Sequence, residues 1–163
     1  MHASPPENSG TPTAQGATRS LREHVVDRAH RARLARGGHL DTHAVLAMLE
    51  DRAVVRYPIG VRFDPGPLRR GEFACLEPLS ERPIDGFCLW VHPRFADDPA
   101  LLPVIIAYYI PSVNYGDVST HIEAELFGST LLGVGREEYY RSLCSAADLV
   151  DRLADDPISE ERP

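Results

Sequence analysis

Apolar side chains recur every three to four residues in two stretches near the start of the chain. Leu21, Val25 and Ala29 follow helical spacing up to the glycine pair at 37–38, a pair typical of a helix end. In the second stretch Asp41 stands directly before a periodic apolar run, where a carboxylate caps a helix. The pattern therefore predicts two N-terminal helices.

The pattern then changes to a period of two. Between Val55 and Phe63, apolar residues alternate with polar ones, which is typical of a strand with one buried face, and Pro58 favours an edge position. Residues 72–79 are predicted to form a second strand. The unbroken apolar run at 87–91 indicates a third, more central strand. We predict an antiparallel sheet of about three strands in meander order.

The C-terminal half is predicted to be helical. Residues 99–111 combine a helix-start signal with a strand-forming apolar run and two prolines, so helix and strand both stay open, and we favour a short buried helix. Thr120 followed three residues later by Glu123 forms a capping box for a helix over 121–132. A last helix with acidic residues at its start follows.

These elements predict an α+β fold: two N-terminal helices, a small antiparallel sheet and a helical C-terminal half. The chain of 163 residues is long enough for one domain. Residues 1–18, rich in Pro, Ser, Thr and Gly, are expected to be a disordered tail. Residues 19–156 would then form the single domain, and 157–163 a frayed tail.

Composition excludes several classes of protein. No apolar run approaches the roughly 20 residues that span a bilayer, and no secretory signal is visible, so we expect a cytoplasmic protein. The cysteines are odd in number, widely spaced and set in apolar runs, which favours reduced thiols over a disulfide framework. All 17 basic residues are arginine, which we interpret as a signature of a GC-rich bacterial genome.

Charge is unevenly spread along the chain. Acidic residues accumulate in the last helix and the C-terminal tail, whereas the first helix is rich in arginine. This asymmetry predicts an electrostatic match within the molecule or with a partner. The net charge of −7 argues against nucleic acid as the main ligand, so a nucleic-acid-associated regulator is the weakest alternative. The arginines of the first helix are Arg19, Arg22, Arg28, Arg31, Arg33 and Arg36.

The predicted helix at 121–132 carries more titratable groups than a mostly apolar helix needs. Apolar residues occupy most of its circumference, so it should be largely buried. Glu123 falls in one polar gap, and His121 and Glu125, four residues apart, share another. A capping box and a surface pair would explain the three groups, but a buried carboxylate needs a hydrogen-bonding or metal partner.

Two segments carry a resemblance to a known family. Residues 123–139, "EAELFGSTLLGVGREEY", resemble the segment of ImmA/IrrE-type zincin metallopeptidases that reads roughly E-A-N-x-F-A-A-x-L-L-M-P, and "DGFCLWVHPR" resembles a strand of that family. The resemblance implies that Glu123 occupies the position of the third zinc ligand. Where the family has H-E-x-x-H, this chain has Tyr108, Tyr109 and Ser112, so a zincin mechanism cannot operate there. The resemblance thus implies a degenerate, non-peptidase relative.

A differently composed metal site is the alternative. His92, Asp117, His121, Glu123 and Glu125 are ligands of the kinds that a divalent transition metal accepts. If they converge, the protein would be a metal-dependent, hydrolase-like enzyme.

The leading expectation is a non-catalytic accessory or protein-interaction module, with no catalytic residue assigned. The chain has no nucleophile elbow, P-loop or dinucleotide-binding glycine motif. A polar turn over 114–125, with nearby tyrosines, is expected to form a pocket for another protein, a subunit or a small ligand. The candidate pocket residues are Asn114, Tyr115, Asp117, Tyr108 and Tyr109.

Overall fold

A computed structural model describes residues 13–155 and confirms the α+β class. The elements appear in the predicted order, with short 3₁₀ turns at 83–85, 93–95 and 116–118. No helix in this range is long and apolar enough to cross a bilayer. The helices and strands are α1 (Ala14–Ala35), α2 (Thr42–Met48), β1 (Ile59–Phe63), β2 (Ala74–Pro78), β3 (Phe87–Val91), α3 (Leu102–Tyr115), α4 (His121–Leu132) and α5 (Arg136–Asp155).

The first helix begins earlier than the sequence predicted. The Thr13 side chain accepts a hydrogen bond from the backbone N–H of Gly16 at 3.0 Å and caps α1, so residues 14–18 are helical rather than disordered. The prediction of disorder for residues 14–18 was wrong because polar, exposed side chains suit the solvent face of a capped helix as well as a coil. The rest of the predicted tails lies in residues 1–12 and 156–163, outside the described range.

The sheet is mixed, and the predicted antiparallel meander is wrong in one pairing. Strand order is β1-β3-β2, with β3 antiparallel to β2 but parallel to β1. The connection over residues 64–73 crosses β3 before the chain forms β2. β3, the most apolar strand, is therefore central, as its unbroken apolar run predicted. Val61, Leu89 and Leu76 are register partners on the face that packs against the helices. β1 is an edge strand, as Pro58 indicated.

The ambiguous segment after β3 is helical, so the favoured interpretation is confirmed. Pro103 lies in the first turn of α3, where a missing N–H costs nothing, and Pro111 is tolerated further along the helix. Ile105, Ile106 and Ile110 are fully buried in the main core. Burial of this helix therefore outweighs the strand preference of its β-branched residues.

Helix α4 packs against three other helices. It contacts α1, α3 and α5, which is why apolar residues extend around most of its circumference. The predicted capping box of Thr120 and Glu123 is present, and Gly133 ends the helix in the left-handed conformation at φ 68°. The two glutamates of α4, Glu123 and Glu125, are thus buried among helices, whereas His121 at the start of α4 is exposed.

Candidate functional site

Glu123 is buried at the start of α4, with 2 % of its surface exposed. Its carboxylate accepts hydrogen bonds from the Thr120 backbone N–H at 2.8 Å and from the Thr120 hydroxyl, and it meets Nε of Arg22 on α1 at 3.2 Å. Burial alone would raise its pKa, but the hydrogen bonds from Thr120 and Arg22 outweigh burial and lower the pKa. The sequence predicted the capping box but not the contact between Glu123 and Arg22.

His121 and Glu125 do not form the surface pair that their spacing suggested. His121 is exposed, whereas Glu125 is buried and its Oε1 lies 3.7 Å from Nε of Arg136 at the start of α5. Glu125 also lies near Tyr108, whose pKa is raised by burial and by this carboxylate. Glu125 therefore belongs to the contact between α3, α4 and α5.

The five metal-ligand candidates are not brought together. His92 caps the turn after β3, where its Nδ1 accepts a hydrogen bond from the Arg94 backbone N–H at 3.1 Å, and Asp117 is exposed in the turn at 116–118. Burial and Arg94 lower the pKa of His92. Among residues 13–155, no three His, Cys, Asp or Glu side chains are close enough to hold a metal ion. Spacing along a chain could not establish convergence: His121, Glu123 and Glu125 share α4 but point to different surroundings, and His92 and Asp117 lie in two separate turns.

Two of the candidate pocket tyrosines support the core. Tyr108 and Tyr109 pack edge to face with ring centroids 5.3 Å apart. The Tyr109 hydroxyl donates to the Ala74 carbonyl of β2 at 2.8 Å, and burial raises its pKa. This hydrogen bond of Tyr109 therefore links α3 to the sheet.

Asn114 connects the end of α3 to the segment before β1. Its side-chain amide donates to the Val54 carbonyl at 2.8 Å, and its Oδ1 accepts from the Arg56 backbone N–H at 2.7 Å. Asn114 is 4 % exposed, so these bonds satisfy backbone groups of a segment that has no strand partner there. The residue fixes a loop rather than presenting a polar group to a ligand.

An Asn114→Ala variant is expected to lose about 1–2 kcal/mol of unfolding free energy, because it leaves two backbone groups without their partners. Urea denaturation followed by circular dichroism measures the change. Asn114→Asp serves as the comparison, since it keeps the acceptor for Arg56 but removes the donor to Val54. If both variants match the wild type, the two hydrogen bonds do not support the fold.

Tyr115 faces α1 instead of solvent. Its ring lies edge-on to His24 at 5.7 Å, and the Arg28 guanidinium lies 5.8 Å from its centroid. The hydroxyl is buried, and the Arg28 side chain is its charged neighbour. Burial raises the pKa of Tyr115, and the nearby Arg28 opposes that rise. Tyr115 therefore belongs to the contact between α3 and α1.

Most arginines of α1 are engaged inside the molecule. The α1 arginines therefore find partners within the molecule, on α1 itself, on α4 and in the turn at 50–54. They do not pair with the C-terminal acidic residues, of which Asp155 pairs with Arg70 instead. The contacts are Arg22 with Glu123, Arg31 with Asp27 at 2.9 Å, Arg33 with the Leu131 carbonyl at 3.2 Å, and Arg36 with Asp51 at 3.4 Å.

An open apolar depression lies between α1 and α4, and the sequence reasoning did not identify it. Val26 of α1 and Leu126 of α4, each half-buried, form its apolar part, and its volume is about 510 Å³. Charged residues border it, and a second depression of about 490 Å³ continues along α1 to Ala14. Both depressions include Arg22 and Glu23, so they form one strip, which we call the α1–α4 strip.

The zincin resemblance is neither supported nor refuted by this arrangement. The residues in place of H-E-x-x-H lie on α3, and Glu123 lies on the adjacent α4, but its carboxylate contacts Arg22 on α1. No family model, curated protein or solved structure matches the chain. The relationship stays a prediction.

Proposed function

We propose that this protein is a non-catalytic interaction module that binds a partner protein through the α1–α4 strip. The observation that carries the proposal is the apolar floor of Val26 and Leu126 in an open, charge-bordered depression. The metal-dependent alternative receives no support, because its candidate ligands lie apart.

The apolar character of α4 supports this surface. A helix that is apolar on nearly all sides is normally covered on all sides. Phe127 and Leu131 are fully buried in α4, whereas Ile122 and Leu126 are only half-buried. At Leu126 the incomplete cover lies beside α1, where a partner could complete the packing.

The shape of the strip favours an α-helical segment as the partner. From Ala14 to His30 the strip follows about four turns of α1, or roughly 25 Å, which matches a short amphipathic helix. Helices dock in such grooves through apolar residues spaced three and four apart. The border carries both signs of charge, including Arg19, Glu23 and Asp27, so the partner helix should carry charges of both signs beside its apolar face.

A Leu126→Glu variant is expected to weaken partner binding about 30-fold or more, because it places a charge on the apolar floor where an anchoring side chain would contribute about 2 kcal/mol. The purified chain would be mixed with each protein encoded beside it in its genome, and complexes detected by calorimetry at micromolar concentration.

Tyr140→Glu is the matched control, since Tyr140 is 53 % exposed on α5, away from the strip. This variant should bind as the wild type does. The absence of any complex, or equal weakening by both variants, would count against the α1–α4 strip as the binding surface. Circular dichroism of both variants separates lost binding from lost structure.

A further inference from the structure

One edge of the sheet has no strand beside it in the described part of the chain. Strand β1 pairs with β3 along one side only. The Phe87 N–H of β3 donates to the Pro58 carbonyl at 2.9 Å, which shows which backbone groups of β1 point towards β3. Because these groups alternate along a strand, those of Ile59, Val61 and Phe63 point away from β3. None of the three forms a backbone hydrogen bond with another segment of the described chain.

This edge carries few of the features that prevent a further strand from pairing. Proteins commonly block exposed edges with prolines, several charges or a covering loop. Pro58 lies before β1 rather than within it, and Arg62 is the one charged residue of the strand. Phe63 is 40 % exposed and Val61 is half-buried, so apolar surface lies beside the outward-pointing backbone groups. The edge therefore suits the addition of an extended strand.

Gly60, within β1, is not explained by contacts inside its own chain. A glycine weakens a strand, and it often marks a place where another backbone approaches closely. The φ angle of Gly60 lies outside the left-handed region, and a Cβ there would meet nothing within 4 Å. Neither strain nor crowding within residues 13–155 thus requires a glycine. Gly60 shares one face of the sheet with Arg62, so it leaves space on that face for a side chain from an added strand.

We propose that β1 pairs with β1 of a second copy of this chain, antiparallel about a two-fold axis at Val61. Val61 then faces Val61 of the second copy, and Ile59 faces Phe63. Each of these pairs exchanges two backbone hydrogen bonds and places apolar side chains against each other. Arg62 faces Gly60 of the second copy, where the absent side chain leaves room for it.

Other two-fold registers of the same strand are less favourable. An axis at Arg62 would place the two arginines directly opposite each other, and like charges in that position are destabilising. An axis at Gly60 would place Phe63 opposite residue 57, which precedes the strand. Only the axis at Val61 pairs all the outward-pointing residues of β1 with one another. The surface is thus self-complementary, as a two-fold dimer requires.

Sedimentation velocity of the full chain tests the proposal over about 1–500 µM, where a weak dimer forms progressively. The wild type should change from monomer to dimer as its concentration rises. Val61→Pro should weaken dimerisation about 10-fold or more, because the ring removes an N–H that points to the second copy. The same N–H does not pair with β3, so the sheet of the monomer keeps its hydrogen bonds. Circular dichroism confirms that the variant is folded.

Opposite charges introduced at Gly60 test the register without altering the core. Gly60→Arg places an arginine opposite Arg62 at two symmetric positions and should weaken dimerisation about 3- to 10-fold. Gly60→Glu places a carboxylate there and should strengthen dimerisation by a similar factor, about 3- to 10-fold. Gly135→Arg is the matched control: Gly135 is also exposed with open space around it, but it precedes α5, so this variant should dimerise as the wild type does.

A wild type that stays monomeric up to about 500 µM overturns the proposal. Unchanged dimerisation of a folded Val61→Pro variant does so too. If that variant does not fold, the two Gly60 variants decide the question, and a change of the dissociation constant in the same direction in both overturns the proposal. No residue of β1 lines the α1–α4 strip, so Leu126→Glu should leave dimerisation unchanged and the two surfaces are tested separately.

Discussion

A Gly128→Ala variant is expected to lose about 3 kcal/mol of unfolding free energy, although alanine is intrinsically the better helix former by about 1 kcal/mol. A Cβ at residue 128 would lie 2.1 Å from both Cζ and the hydroxyl oxygen of Tyr139 on α5. Tyr139 is fully buried, and its hydroxyl donates to the Val104 carbonyl of α3 at 2.7 Å, so the ring cannot move away without losing that bond. Urea denaturation measures the loss.

Two further variants show whether the contact with Tyr139 is the cause. Gly135→Ala adds a Cβ that meets nothing within 4 Å, so it should stay within about 0.5 kcal/mol of the wild type. Tyr139→Leu removes the atoms that clash, and adding Gly128→Ala to it should then cost far less than in the wild type. Strictly additive losses in the double variant would show that the ring is not what excludes a side chain at residue 128.

A Glu123→Ala variant is expected to lose about 2–3 kcal/mol of unfolding free energy, because one residue closes the capping box of α4 and pairs with Arg22 of α1. Arg22 is partly exposed, which keeps the expected loss below that of a fully buried ion pair. Glu123→Gln should lose less unfolding free energy, since the glutamine side-chain carbonyl can still accept a hydrogen bond from the Thr120 backbone N–H. Glu138→Ala, an exposed acid in the first turn of α5, is the control and should change stability little.

The contribution of Glu123 should also depend on pH. Its pKa is lower in the folded protein than in the unfolded chain, so the folded state binds this proton less readily. The stabilisation is complete above the unfolded pKa and is lost as the pH falls through the lowered folded pKa. Wild type and Glu123→Gln should therefore differ most near neutral pH and converge below about pH 4. A difference that stays constant over this range would show that the carboxylate charge contributes nothing.

The candidate site was harder to predict from sequence than the helices. The pattern identified Glu123 as a capping residue, but Arg22, its partner on α1, lies 101 positions away in sequence. Asn114 and Tyr109 were expected in a ligand pocket, yet both bond backbone groups of other segments. A polar residue within an apolar stretch of sequence indicates only that its side chain needs a hydrogen-bonding partner. Its sequence neighbours do not reveal whether that partner is a ligand or the protein itself.

The sequence by itself determined the order and type of the elements, the cap at Asp41, the capping box of α4 and the central position of β3. These features depend on side-chain periodicity and on hydrogen bonds within a few residues, so a short window of sequence contains their causes. Only the tertiary structure decided the parallel pairing of β1, the internal contacts of the α1 arginines and the α1–α4 strip. Those features depend on which distant surfaces pack together, and many sequence-distant pairings satisfy the same local pattern.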